Sequence, residues 1–356
     1  MKGPLSETGP LVGDRYKALS WINAGGMQHV YLAKDSLFGR EVALKTPKDD
    51  GGNSRFRHSA SVSAKINHPN VAKTLDYLED AAGRAYLIEE LVSGADLESV
   101  MSNKLRCVPP STCARVLHQL AKGLVASHHA NVVHRDLKPS NIMVVGGFRF
   151  AAVKITDFGI AKLAEAEIGL WAESKGSTSS KTVLGAIPYM SPESITEFKV
   201  ATKPSDVWSI GAIVYEMLSG LPPFGGGLKS ILKITEAVPP ARPIQISAAQ
   251  FRSLGSQVYD IILSCLQKDP QKRPTAEFLV QACEELCYSP DEYELGTITR
   301  VDPATGFIRA DDGPDLMYHR SNFYGTASIK VGKRVWFARH PGTGNDRAFP
   351  VVNYGD

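Results

Sequence analysis

Two carboxylates and an amide in the middle of the chain have the types and spacing to do one kind of chemistry. The run His134-Arg135-Asp136-Leu137-Lys138-Pro139-Ser140-Asn141 is followed, after an apolar stretch of β character, by Asp157-Phe158-Gly159. Moving a phosphoryl group onto a hydroxyl needs a cation on the phosphate oxygens, oxygen-bearing side chains to hold it, and an acceptor for the hydroxyl proton. Asp136 suits the acceptor. Asn141 and Asp157 suit the cation, Mg²⁺ with Mn²⁺ as an alternative, because hard cations take oxygen ligands. Lys138 would offset charge on the moving group. Eight residues in this order, with the second motif at hairpin distance, are too specific for ordinary loop polarity.

The surrounding pattern supplies elements to position them. From Arg15 to Pro47, apolar residues alternate through Tyr16–Ala18, Val30–Leu32 and Val42–Leu44, broken by glycines, which predicts strands. Helical spacing follows at Ser111–His129, Val207–Leu218, Val258–Leu266 and Ala276–Cys287. A small β-rich part therefore precedes a larger helical part. A polar stretch with Pro290 reads as a linker, and short β-type runs return after Leu295.

The 356 residues carry a net charge of +3 and are 43% hydrophobic. That allows two or three domains with real cores and excludes long disorder. The charge is too small to mark a nucleic-acid binder by itself. No apolar run is long enough to span a membrane, and Met1–Leu11 has no signal-peptide core, so no membrane partner and a cytoplasmic location are expected. Five cysteines without framework spacing read as free thiols. Cys283 and Cys287, four apart, are expected to be buried or half-buried thiols rather than metal ligands.

The set HRDLKPSN, DFG and Ser191-Pro192-Glu193 resembles the eukaryotic-type (Hanks-type) serine/threonine protein kinase family over roughly Arg15 to Cys287. The resemblance implies a two-lobed α+β fold and transfer of the ATP γ-phosphoryl group to Ser/Thr hydroxyls of proteins. It makes Asp136 the base, Lys138 its companion, and Asn141 and Asp157 the metal ligands. Lys45, in Val42-Ala43-Leu44-Lys45, would pair with the ATP phosphates. Asn23, Gly25 and Gly26 would form a degenerate phosphate loop, with Gln28 in the slot of its third glycine. Val30 and Ala43 would wall the adenine, and the backbone around Glu89–Leu91 would bind it behind a gatekeeper Ile88. Asp96 would meet the ribose or cap a helix. Thr182, with Thr178 nearby, would be the regulatory phosphosite, clamped by Arg135, and autophosphorylation is expected. Glu193 with Arg273 would form a buried ion pair, and Asp206 would start an anchoring helix.

This chain departs from the family at one important place. The helix glutamate expected to pair with Lys45 is replaced by Ser59, and no acidic residue occurs from Gly51 to Asn67. Asp157 or the nucleotide would have to hold the lysine instead. Ser59, Asn23, Gln28 and Ala186 together support an alternative, a nucleotide-binding pseudokinase scaffold with little turnover.

After Leu295 the order of motifs resembles a cold-shock domain, a five-stranded barrel of the OB type. The expected organisation is a tail 1–13, a kinase domain 14–288, a linker 289–294 and a barrel 295–356. Such barrels bind single-stranded RNA or DNA on aromatic side chains. Here the platform is thin: Phe307 and His319 are present, and Arg300, Arg309 and Arg320 would substitute by stacking. Tyr318 is expected to face the core. A protein-docking or autoinhibitory role is the competing reading for this module.

Overall fold

The computed structural model describes residues 5, 9–24, 28–48, 53–103, 105–158, 181–196, 201–288, 290–324 and 328–355. The first lobe is an antiparallel sheet of five strands: β1 (Tyr16–Ala24), β2 (Gln28–Asp35), β3 (Glu41–Pro47), β4 (Thr74–Glu79) and β5 (Ala85–Glu90). Their order is β1-β2-β3-β5-β4. Side chains alternate across a strand, so the sheet has two faces. Tyr16, Tyr31, Val42, Leu44, Tyr86 and Ile88 form a buried cluster on one. Val30, Ala43, Lys45, Leu87 and Glu89 lie on the other by the same alternation, and helix α1 (Asn53–Ser63) packs there through Phe56 and Ala60 against Ala85 and Leu87.

This parity corrects one expectation. Ile88 is fully buried in the cluster on the face opposite Lys45, so it is not the residue that shares the face of Lys45. Its neighbour Glu89 is. Because the side-chain period along a strand is two, assigning the position one residue early puts the side chain on the wrong face.

The second lobe is helical. Its elements are α2 (Leu97–Asn103), α3 (Pro110–His129), α4 (Lys181–Ala186), α5 (Pro192–Thr196), α6 (Lys203–Ser219), α7 (Ile231–Glu236), α8 (Arg252–Cys265) and α9 (Ala276–Glu284). Short strands β6 (Ala95–Asp96), β7 (Ile142–Val145) and β8 (Ala152–Ile155) form a small sheet at its edge. Hairpin β7–β8 separates the two chemical motifs, as their spacing predicts. Asp96 caps α2, its carboxylate accepting from Ser99 N at 2.8 Å and Ser99 Oγ at 2.7 Å.

Two polar anchors tie this lobe together. Glu193 and Arg273 form the expected pair, bidentate at 2.7 and 2.8 Å, with the guanidinium stacked 5.0 Å from the Trp208 ring. At the start of α6, Asp206 accepts from the backbone N–H of His134 and of Arg135, each at 2.9 Å, and its Oδ2 lies 3.0 Å from His128 Nε2.

The C-terminal part is a closed five-stranded barrel. Strands β9 (Tyr293–Val301), β10 (Thr305–Ala310), β11 (Asp315–His319), β13 (Arg334–His340) and β14 (Arg347–Asn353) run in the order β11-β10-β9-β13-β14. A β11–β14 pairing closes the ring, and short β12 (Phe323–Tyr324) pairs with β14. Inward residues Ile298, Ile308, Leu316, Tyr318, Val335, Phe337 and Val351 are all fully buried, including Tyr318 as expected. A side chain at Gly306 would sit 2.4 Å from the Tyr318 ring and 2.5 Å from Arg300 O, so only glycine lets β10 pass there.

The barrel docks on the helical lobe. Tyr324, Phe349 and Val352 belong to that lobe's own core cluster. Phe349 meets Phe251 with ring centroids 5.4 Å apart, Cys107 Sγ lies 3.2 Å from Tyr324 Oη, and Arg149 covers Trp336 at 4.4 Å. Asp291, in the connecting segment, accepts from Ser111 and Thr112 at 2.6–2.7 Å. Among the described residues no helix is long and apolar enough to cross a membrane. All five cysteines are free; Cys283 is buried, but Cys287 is exposed, contrary to expectation, because α9 has already ended at Glu284.

Candidate active site

The loop between α3 and β7 holds its side chains through short hydrogen bonds. Lys138 Nζ lies 2.7 Å from Asp136 Oδ2. Asn141 Nδ2 donates to the Asp136 carbonyl at 2.7 Å and to Asp136 Oδ2 at 3.2 Å. Both backbone N–H groups just before Asp136 are committed to Asp206, so the position of Asp136 is set from α6. Arg135 and Asp157 both have left-handed backbone, φ 69° and 62°. Such conformations cost energy in non-glycine residues and persist where the surroundings enforce them, often at functional sites. Near Asp157, the Thr156 N–H donates to Asn141 O at 2.9 Å, bringing the second motif beside the first.

Asp157 also reaches the sheet lobe. Its Oδ1 accepts from Lys45 Nζ at 2.8 Å and from Gln28 Nε2 at 2.8 Å. Lys45 Nζ has a second carboxylate, Glu89 Oε2 at 2.5 Å. The lysine is thus doubly paired, by Asp157 as expected and by Glu89, for which the family resemblance implies only a backbone role at the adenine. Ala85–Ile88 is an unbroken apolar run with no alternation to mark its faces; the strand register is what puts Glu89 on the face of Leu87 and Ala43.

These three charges shape one another. Burial works against the Lys45 charge, but Asp157 and Glu89 outweigh it and hold its pKa above the usual lysine value. Burial also opposes the Asp157 carboxylate; Lys45 and then Gln28 overcome this and bring it down to about 2. Glu89 is raised, by burial first and by Asp157 beside it, against the pull of Lys45. One ammonium serves two carboxylates, and Asp157 is the more firmly ionised.

The donor set suits a hard divalent cation. Both donor contacts of the Asn141 amide nitrogen go to Asp136, which leaves the amide oxygen as the atom for a metal. Asp157 supplies an ionised carboxylate. Among the described residues no group of three or more His, Cys, Asp or Glu could hold a metal, so the remaining ligands would be phosphate and water oxygens, as is usual for Mg²⁺ with nucleotides.

The other expected residues fall as follows. Val30 and Ala43 share the sheet face of Lys45, Val30 pairing with Lys45 and Ala43 with Glu89 across the strands; Leu91 follows β5. Gly25, Gly26 and Thr178 lie outside the described residues, as do the side chains of Asn23 and Thr182. Ser59 donates to the Phe158 carbonyl at 2.6 Å, so the position expected to hold a glutamate bonds to the backbone next to Asp157. On the barrel, Phe307 stands between Arg300 and Met317 in the cross-strand register, with the Arg300 guanidinium 5.7 Å from its ring. Arg300 and Arg309 are each paired with a barrel carboxylate, Asp302 at 2.9 Å and Asp315 at 2.8 Å. His319 and Arg320 are exposed at the end of β11.

A family model described as the protein kinase domain matches residues 16–283. The chain belongs to the protein kinase family. Similar relatives in this family include serine/threonine-protein kinase PrkC of Bacillus subtilis, 33% identical over 278 residues, 76% of this chain and 40% of PrkC. Others are serine/threonine-protein kinase pkn2 of Myxococcus xanthus, 34% identical over 73% of this chain and 31% of its own length, and serine/threonine-protein kinase PknA of Corynebacterium glutamicum, 36% identical over 74% and 54%. The kinase-like part thus spans between about a third and about half of these relatives. The crystal structure of Rad53 1-466 in complex with AMP-PNP is similar with a TM-score of 0.58 and 26% identity, covering 76% of this chain and 65% of that one. The family match ends before the barrel begins.

The low pKa of Asp157 has a consequence for stability. A carboxylate at about 2 in the folded state against 3.8 otherwise contributes about 2 kcal/mol above its unfolded pKa, and this is lost as pH falls through the folded value. Urea denaturation should therefore find wild type more stable than Asp157→Asn at pH 6, with the gap shrinking between pH 4 and pH 2. A gap that stays constant over that range would contradict the assignment.

Proposed function

We propose that this chain is a serine/threonine protein kinase that transfers the γ-phosphoryl group of ATP to hydroxyls of protein substrates. The observation that carries this reading is the convergence of Asp136, Lys138, Asn141 and Asp157 at the mouth of the sheet lobe, with Lys45 joined to Asp157 across it. Asp136 accepts the proton of the attacking hydroxyl, and Lys138 beside it offsets charge on the moving group. Asn141 and Asp157 hold the cation, which when bound neutralises phosphate oxygens. Lys45 orients the phosphates, while Val30 and Ala43 bracket the base. The relatives' names, all serine/threonine-protein kinases, and the lysine two residues after Asp136 support serine and threonine over tyrosine.

The same reading includes autophosphorylation in the segment that carries Thr178 and Thr182, with Thr182 as the main site. Arg135 supports it: the residue is exposed, immediately precedes Asp136, and has no carboxylate partner among the described residues, so its guanidinium is available for a bidentate pair with a phosphate.

For the barrel we favour a protein-docking role within a cold-shock-like, OB-type architecture. Two of the three arginines that would stack on bases are neutralised by their own barrel, and Phe307 has arginine and methionine, not aromatics, as cross-strand neighbours. Single-stranded nucleic acid binding is the second reading, supported by Phe307 under Arg300.

Three measurements test these statements. With radiolabelled ATP and a generic basic protein substrate, wild type should incorporate phosphate and Asp136→Ala should lose activity by about a thousandfold; equal rates would overturn the kinase reading in favour of a scaffold. Mass spectrometry after incubation with ATP and Mg²⁺ should find phosphate on Thr182, and Thr182→Ala should lower activity; phosphate elsewhere with full activity in that variant rejects Thr182. Fluorescence anisotropy with a labelled oligothymidine at low salt should show no binding. A salt-sensitive rise lost in Phe307→Ala would select the nucleic-acid role instead.

A further inference from the structure

The helix that follows β3 offers Lys45 no acid: α1 carries none, and neither does the stretch from Gly51 to Asn67. Its Ser59 hydroxyl is spent on the Phe158 carbonyl. Yet Lys45 is only 5% exposed and charged, which a protein tolerates only with a fixed counter-charge. Asp157 supplies one, 2.8 Å away. On the phosphoryl-transfer reading, on which this inference rests, the Asp157 oxygens are also required by the cation, so a second carboxylate has to hold the lysine.

We propose that Glu89 is the positioning residue of Lys45, doing from the neighbouring strand what the family resemblance assigns to a glutamate on the following helix. Its Oε2 lies 2.5 Å from Lys45 Nζ, both side chains are nearly buried, and among the described residues Lys45 is its only ion-pair partner. The ladder explains the reach. Lys45 pairs with Leu87 and Ala43 with Glu89, so Glu89 is the diagonal neighbour of Lys45 on the same face, a spacing that long side chains bridge. Both partners belong to hydrogen-bonded strands of one sheet. The pair therefore needs no charge from α1, whose described contacts on this side of the sheet are the apolar ones of Phe56 and Ala60 and the neutral bond from Ser59. The carboxylate also sits where the expected isoleucine would have been apolar, so the wall behind Ala43 is charged.

A double-mutant cycle on the full chain tests this. ATP affinity is measured by titration for wild type, Glu89→Gln, Lys45→Met and the double variant, with circular dichroism as a check on folding. If Glu89 acts through Lys45, Glu89→Gln weakens ATP binding by about tenfold when Lys45 is present and by less than about twofold when it is Met. A second readout needs no nucleotide. Carbamylation of Lys45 by cyanate, followed by mass spectrometry, should quicken several-fold in Glu89→Gln, because the amine loses one of the two carboxylates that hold it. Glu89→Asp, which keeps the charge on a shorter arm, should fall between wild type and Gln, and it serves if the Gln variant misfolds. Equal losses of affinity in both backgrounds, or an unchanged carbamylation rate, overturn the proposal. If wild type binds no ATP, the kinase reading fails, and the carbamylation rates still decide whether Glu89 holds Lys45.

Discussion

A buried carboxylate at the start of α6 determines where the chemistry can occur. Asp206 accepts hydrogen bonds from two successive backbone N–H groups of the loop before Asp136 and contacts His128 at the end of α3. Buried acceptors of this kind are costly to leave unmet, so loop, α3 and α6 form one rigid unit. Everything downstream inherits that placement: Asp136 follows directly, Asn141 is folded back onto it, and Thr156 bonds to Asn141 to bring Asp157 alongside. The left-handed backbone at Arg135 is where the chain bends to satisfy Asp206.

Much of this was legible in the sequence because it is local. An eight-residue run with a second motif at hairpin distance carries its own geometry, and the helical spacing of Leu117, Leu120 and Leu124 gives the scaffold behind it. The partner of Lys45 was not legible in the same way. It depends on which side of β5 each residue faces, and an apolar run followed by two glutamates leaves that parity open; shifting it by one residue swaps Ile88 for Glu89. The contact from Gln28 to Asp157 was equally hidden, since the two residues are 129 positions apart and Gln28 reads locally only as a missing glycine.

The barrel shows the same division. Alternation along β11 marked Tyr318 as inward, because a closed sheet has one interior and one period. How the barrel sits on the helical lobe had no such signature. Tyr324 and Phe349 look like ordinary strand residues in the sequence, and only the fold reveals that they are buried against Cys107 and Phe251.

That shared burial bears on how such a chain could change over time. Tyr324, Phe349 and Val352 complete a hydrophobic core whose other members run from Ile66 to Cys283, so the junction is closer to a cut through one domain than to a tether between two. A recombination event that exchanged the tail for another module would leave an oily scar around Phe251 and Cys107, which the new arrival would have to cover. Descent with this tail attached therefore constrains the lobe beneath it, and the two parts must drift in step.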